Sequence, residues 1–154
     1  MKLLKALKNK SHGMKGFTLI EILIAAAIIA GLAGLGLFLS FDSYRNYALN
    51  VERDILVNVL QKARSLSLNN IDESAYGVYI QNSNFIIFKG DSYVSRDPIY
   101  DETIPTNSSV SKSGLQEIVF EQLTANSSAS GDIILNNAFH SLIISLNNEG
   151  RINW

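Results

Sequence analysis

The sequence predicts an α+β fold: a long amino-terminal helix, apolar in its first half and amphipathic in its second, packed on an antiparallel β-sheet domain. Three observations carry this. An apolar run from Ile22 to Leu39 holds no charge across 18 residues. Apolar residues then recur at steps of three and four, and after Ile71 the chain turns to short segments rich in Val, Ile, Tyr and Phe.

The apolar run, as a helix rising about 1.5 Å per residue, spans roughly 27 Å, close to the hydrocarbon thickness of a bilayer. Glu21 stands at its edge. An ionised carboxylate within a membrane segment costs about 2.5–3.5 kcal/mol on the most lenient scale and normally has a partner. Upstream lie Lys2, Lys5, Lys8, Lys10 and Lys15 with no acid, which places this leader on the cytoplasmic side of a membrane. An ordinary secretory signal has a shorter apolar core of about 7–15 residues, followed by a small-residue cleavage site. Here the only A-x-A pattern, Ala25 to Ala27, is buried within the longer run.

Gly16, Phe17, Thr18, Leu19, Ile20 and Glu21, followed by the apolar helix, resemble the class III signal of type IV pilins and type II secretion pseudopilins. The resemblance implies cleavage between Gly16 and Phe17 by a prepilin peptidase, N-methylation of Phe17, and assembly of the helices into a filament core. Glu21 would then neutralise the Phe17 amine of a neighbouring subunit. The implied partners are other pilin or pseudopilin subunits, the prepilin peptidase, an inner-membrane assembly platform and membrane lipid. The implied location is the cytoplasmic (inner) membrane, with the globular part outside the cytoplasm, and then the filament. A different reading of the same residues is a single-pass anchor whose β-domain binds a ligand and never polymerises.

The expected organisation is a cleaved leader over 1–16, a membrane and filament-core helix over 17–41, its amphipathic continuation over 42–70, and a β-domain over 71–154. In the continuation Tyr44, Tyr47, Ala48, Val51, Ile55, Val59, Ala63 and Leu66 form the apolar stripe, and Arg45, Glu52, Arg53, Asn58, Lys62 and Ser65 fill most of the rest. Gly31, Gly34 and Gly36 each cost the helix up to about 1 kcal/mol relative to Ala. They serve either close helix packing or, by the resemblance, a segment that unwinds when the subunit leaves the bilayer.

Strands are expected at Ala75–Gln81 and Phe85–Lys89 with a turn at Asn82 to Asn84. A third follows at Leu115–Leu123, and three more at Gly131–Asn136, Ser141–Leu146 and Arg151–Trp154. Between the second and third, Gly90 to Gly114 reads as one long polar connection interrupted by Pro98 and Pro105. The segments Ala63 to Ser65, Gly77 to Val78 and Asn148 to Ile152 are similar to those of H-type minor pseudopilins and their FimT-like relatives.

Without the leader the chain carries eight basic and 14 acidic residues, a formal charge of about −6. That disfavours nucleic acid as a partner, since phosphate binding needs Lys and Arg gathered on one face. The absence of cysteine removes disulfides and thiolate metal sites. No catalytic set is expected: Gly90 to Ser92 superficially resembles a lipase nucleophile block, but the only histidines are His12 and His140, and neither sits where a triad needs its base. No cofactor is expected. Asp91, Asp97, Asp101 and Glu102 gather acids in the long connection, and major secretion pseudopilins bind calcium in such a loop. The spacing here fits no recognised calcium loop, so a solvated acidic loop is favoured.

Overall fold

The computed structural model describes residues 16–138 and 140–154. The leader up to Lys15, with His12, lies outside them. The fold is α+β. Helix α1, Leu19–Leu68, is one continuous helix of 50 residues. Eight antiparallel strands follow among the described residues: β1 Tyr76–Ile80, β2 Asn84–Lys89, β3 Glu102–Pro105, β4 Ser111–Gly114, β5 Glu117–Phe120, β6 Gly131–Asn136, β7 Ser141–Leu146 and β8 Ile152–Asn153. The backbone contacts divide the chain into two compact units, one ending at Ser40 and one spanning Phe41–Trp154.

In the first unit, Leu19–Leu37 is long and apolar enough to cross a membrane, with mean hydropathy 2.3 and no buried residue. Such a surface is not tolerated in water without a covering.

In the second unit, α1 stops where Asn70 adopts a left-handed conformation at φ 55°. The Asn69 side chain closes the last turn by donating to the Ser65 carbonyl at 2.8 Å. The strands make two four-stranded sheets, ordered β3-β2-β1-β5 and β4-β6-β7-β8. The β1–β2 hairpin pairs Ile80 with Phe85, as the turn at Asn82 to Asn84 predicts. The expected single connection Gly90 to Gly114 instead contains β3 and β4 and a 3-10 turn at Pro98–Tyr100. Both strands are short and mostly polar, so they are defined by backbone pairing with β2 and β6, which no side-chain periodicity announces.

One core lies between α1 and both sheets, built from Leu56, Leu60, Val78, Phe85, Ile87, Ile118, Phe120, Ile133, Leu135 and Ile144 among others. Alternation sends Tyr79, Phe88 and Val119 to the opposite face of the first sheet, where Tyr93 covers them. The Phe88 ring fits there because Gly77, its cross-strand neighbour, has no side chain: a Cβ at Gly77 would lie 2.7 Å from Phe88 Cε1. Of the stripe the periodicity suggests, Val59 and Ala63 are buried and Ile55 and Leu66 pack on the core. Leu49, Glu52, Leu56, Leu60, Ala63 and Ser67 are buried, whereas Tyr44 and Tyr47 are exposed. Glu52, a residue expected on the wet face, lies in the interior, where it meets a cationic partner.

Tyr76 ties the start of β1 to the end of α1: its amide donates to Ser67 Oγ at 2.8 Å and its hydroxyl to Asp72 Oδ2 at 2.9 Å. Burial first, then the hydrogen bond and charge of Asp72, pushes its phenol up to about 12. A raised folded-state value means that this stabilisation is complete below about pH 10, the ordinary tyrosine range, and is lost as pH rises through about 12. Alkaline titration of the phenolate absorbance should therefore show a late component, and Asp72→Asn should move that component earlier.

Candidate functional site

Gly16, Phe17 and Thr18 precede the helix in non-helical backbone, and α1 begins at Leu19. Gly16 is exposed, with nothing within 4 Å of the position a Cβ would take. Thr18 and Glu21 close a reciprocal cap. The Glu21 amide donates to Thr18 Oγ1 at 3.3 Å, while the Thr18 amide and hydroxyl donate to Glu21 Oε2 at 3.2 and 3.1 Å. This is the capping box of a Thr at the cap and a Glu three residues on, which satisfies amides that the first helical turn leaves unpaired. The T-x-x-E spacing is readable in the sequence, and it is the signal that the charge argument for Glu21 passes over. Oε2 is the oxygen that accepts both bonds.

Gly31, Gly34 and Gly36 lie within the continuous helix, and an added Cβ at any of them would meet nothing within 4 Å. The four loop acids do different things. Asp101 accepts from Arg96 Nε through both oxygens at 2.9 Å. Glu102 accepts from Lys62 at 2.7 Å, and Asp97 caps the 3-10 turn through the Ile99 amide at 3.1 Å. Asp91 is exposed. Among the described residues no group of three or more His, Asp or Glu side chains is placed to hold a metal ion. His140, at the turn into β7, donates its amide to Asn137 Oδ1 at 2.8 Å.

Two arrangements join residues too far apart in sequence to be connected by pattern. In the first, Lys112 of β4 meets Glu52 of α1 at 2.8 Å, each side chain only 2% exposed. The Lys112 ammonium also reaches Thr106 Oγ1 and the carbonyls of Asn82, Asn107 and Val110 at 3.0–3.2 Å. Glu52 Oε2 accepts from the Asn107 amide at 3.1 Å, and Oε1 faces the ammonium in an ion pair lacking the angles of a directed hydrogen bond. In the second, the last turns of α1 and the β7–β8 segment enclose a cleft of about 670 Å3, with Arg64, Leu68, Arg151, Ile152 and Trp154 in its lining.

Residues 11–36 match the family description Prokaryotic N-terminal methylation motif. The amino-terminal segment is a pilin-type methylation signal. Its segment covers Gly16, Phe17, the Thr18–Glu21 cap and the three helix glycines. With the apolar stretch Leu19–Leu37, it fits membrane anchoring. Comparison with curated proteins and with solved structures returns no match to the chain.

Proposed function

We propose that the chain is a structural subunit, a minor pilin or pseudopilin, of a type IV pilus or a type II secretion pseudopilus. In this reading prepilin peptidase cuts between Gly16 and Phe17, the Phe17 amine is methylated, and the inner-membrane assembly platform draws the helix into a filament core. The supporting observation is the coincidence of the methylation signal with a capped helix start and an apolar stretch long enough to cross a membrane. The intact mass of the protein from membranes, with and without the peptidase, tests it. Loss of Met1 to Gly16 and gain of a methyl group are expected. Retention of the leader in the presence of the peptidase would defeat the reading in favour of an anchored β-domain that does not polymerise.

Glu21 then has two jobs to separate. Locally it closes the cap, worth of order 0.3–1 kcal/mol. Between subunits its carboxylate would meet the Phe17 amine of the next chain, and each charge would relieve the burial penalty of the other at one axial register only. Glu21→Gln distinguishes these, since glutamine can also close a capping box but carries no charge. The variant is expected to insert and be cleaved normally yet fail to enter filaments, as scored by shearing and immunoblotting. Normal incorporation of Glu21→Gln alongside failure of Glu21→Ala would assign the residue to the cap alone.

A further inference from the structure

The edge of a β-sheet presents backbone donors and acceptors that no neighbouring strand uses, and native chains guard such edges with charge, proline or a covering segment. The two sheets end on β3, β5, β4 and β8, and the first three are guarded. β3 carries Pro105, which has no amide proton, and Glu102, which is held by Lys62 of α1. β5 is closed by Ser128, whose amide donates to the Val119 carbonyl at 2.8 Å and whose hydroxyl accepts from the Val119 amide at 3.0 Å. β4 turns its Lys112 amide towards Asn82 Oδ1 of the first sheet at 3.4 Å.

The fourth edge is different. Among the described residues β8 pairs with β7 at Ser145 and Leu146, so beyond it residues 141–144 form the outer edge of the sheet themselves. In an antiparallel ladder alternate residues point their N–H and C=O to opposite neighbours. The Asn147 amide donates to the Arg151 carbonyl on the β8 side at 3.2 Å, while the His140 carbonyl accepts from the Asn137 amide on the β6 side at 3.0 Å. Odd-numbered residues of β7 therefore address the outer edge, where the amides and carbonyls of Ser141 and Ile143 meet no described strand. β7 contains neither a charged residue nor a proline. Ile143 is 53% exposed and pairs with Ile134 on the face turned away from the core, whereas Leu142 packs on the core.

We propose that residues 141–144 of β7 receive an extended segment of another protein as an added antiparallel strand. The outward amides and carbonyls of Ser141 and Ile143 recognise a straight backbone, the mode of binding in which main-chain hydrogen bonds give affinity and alternate side chains give specificity. The occupant is uncharged over this stretch, with one aliphatic side chain beside Ile143 on the outer face and the next beside Leu142 on the inner face. A second copy of this chain fits poorly, because its own β7 is covered by β8 from Ser145 onwards. Overlapping two such edges sets His140 of each copy opposite Ile144 of the other, the place taken by the chain that follows Ile152–Asn153.

The experiment uses the full chain in detergent micelles and the peptide acetyl-Thr-Val-Thr-Val-Thr-amide at millimolar concentration, with amide exchange in β7 followed residue by residue by NMR. Protection at Ser141 and Ile143 is expected to rise about tenfold or more, with Leu142 and Ile144, already directed to β6, unchanged. The peptide N-methylated on its valines alone keeps one bonding edge and should still protect; the peptide N-methylated throughout should not. Ile143→Pro removes a donor that faces away from β6, so it should leave the urea midpoint in place and abolish protection at Ser141. Ile143→Lys, which alters no backbone group, should weaken binding as edge lysines do and serves if the proline variant does not fold. Unchanged exchange at Ser141 and Ile143, or equal binding of the fully methylated peptide, would overturn the proposal. So would protection that appears without peptide and grows with protein concentration, which would assign the edge to a second copy. Cleavage and methylation of the amino terminus do not enter the readout, so its outcome is separate from that of the filament reading.

Discussion

Glu52→Ala is expected to destabilise the Phe41–Trp154 unit by about 3–5 kcal/mol, because it strands the Lys112 ammonium in the interior. Lys112 is 2% exposed. Three carbonyls and one hydroxyl remain around it, yet none carries the compensating charge. Glu52→Gln should cost less than the alanine variant, since an amide oxygen can still accept from the Asn107 amide at the site of Oε2. Replacing both partners, Glu52→Leu with Lys112→Met, should recover most of the loss, as apolar residues of similar volume commonly substitute for a buried ion pair. Urea unfolding of the full chain in detergent micelles, followed by circular dichroism, measures each variant, and the double-mutant cycle isolates the coupling. A single-variant loss below about 1 kcal/mol, the range of exposed pairs, would mean that Lys112 finds solvent after all.

Gly16→Val is expected to abolish maturation while leaving membrane insertion and folding intact. A Cβ at Gly16 would meet nothing within 4 Å among the described residues, and the residue precedes the helix cap, so a valine there disturbs no described contact. The effect must then fall on the peptidase, whose site would have to admit a β-branched side chain in place of a bare backbone. Pulse labelling of the variant in cells containing the peptidase should show only the longer form, recovered in the membrane fraction. Cleavage at the wild-type rate would remove the Gly16–Phe17 bond from the proposed site.

The parts of the fold legible in the sequence are those with a strong period or a strong punctuation mark. The apolar run, the three-and-four repeat and the Asn82 to Asn84 turn led directly to α1 and the β1–β2 hairpin. Strands β3 and β4 escaped because Glu102–Pro105 and Ser111–Gly114 have little apolar alternation and pair through their backbones. Part of the helix stripe was misjudged for a related reason. Leu49, Leu56 and Leu60 lie on a face that also contains Glu52, and a buried carboxylate reads as a wet position until Lys112, sixty residues on, is placed beside it. The loop acids were similarly opaque: Asp101 and Glu102 look like a cluster in sequence, but one serves Arg96 and the other Lys62. Of the sites, the amino-terminal signal is contiguous and its motif was readable, whereas the Thr18 and Glu21 spacing that makes the cap was passed over. The cleft was not readable, since Arg64 and Trp154 meet only after two sheets have formed between them.

A cap fixes the end of a helix in both directions, and the second direction bears on the cleavage proposed above. By engaging the Thr18 amide and hydroxyl, Glu21 starts the helix at Leu19 and also stops its winding from spreading upstream. The Gly16–Phe17 bond therefore stays outside the spiral, with its carbonyl and amide uncommitted to any helical ladder, as a protease requires of a strand it is to cut. Removal of everything before Phe17 takes away no member of the cap. The same helix start can thus serve the longer and the shorter chain, and trimming need not be accompanied by refolding.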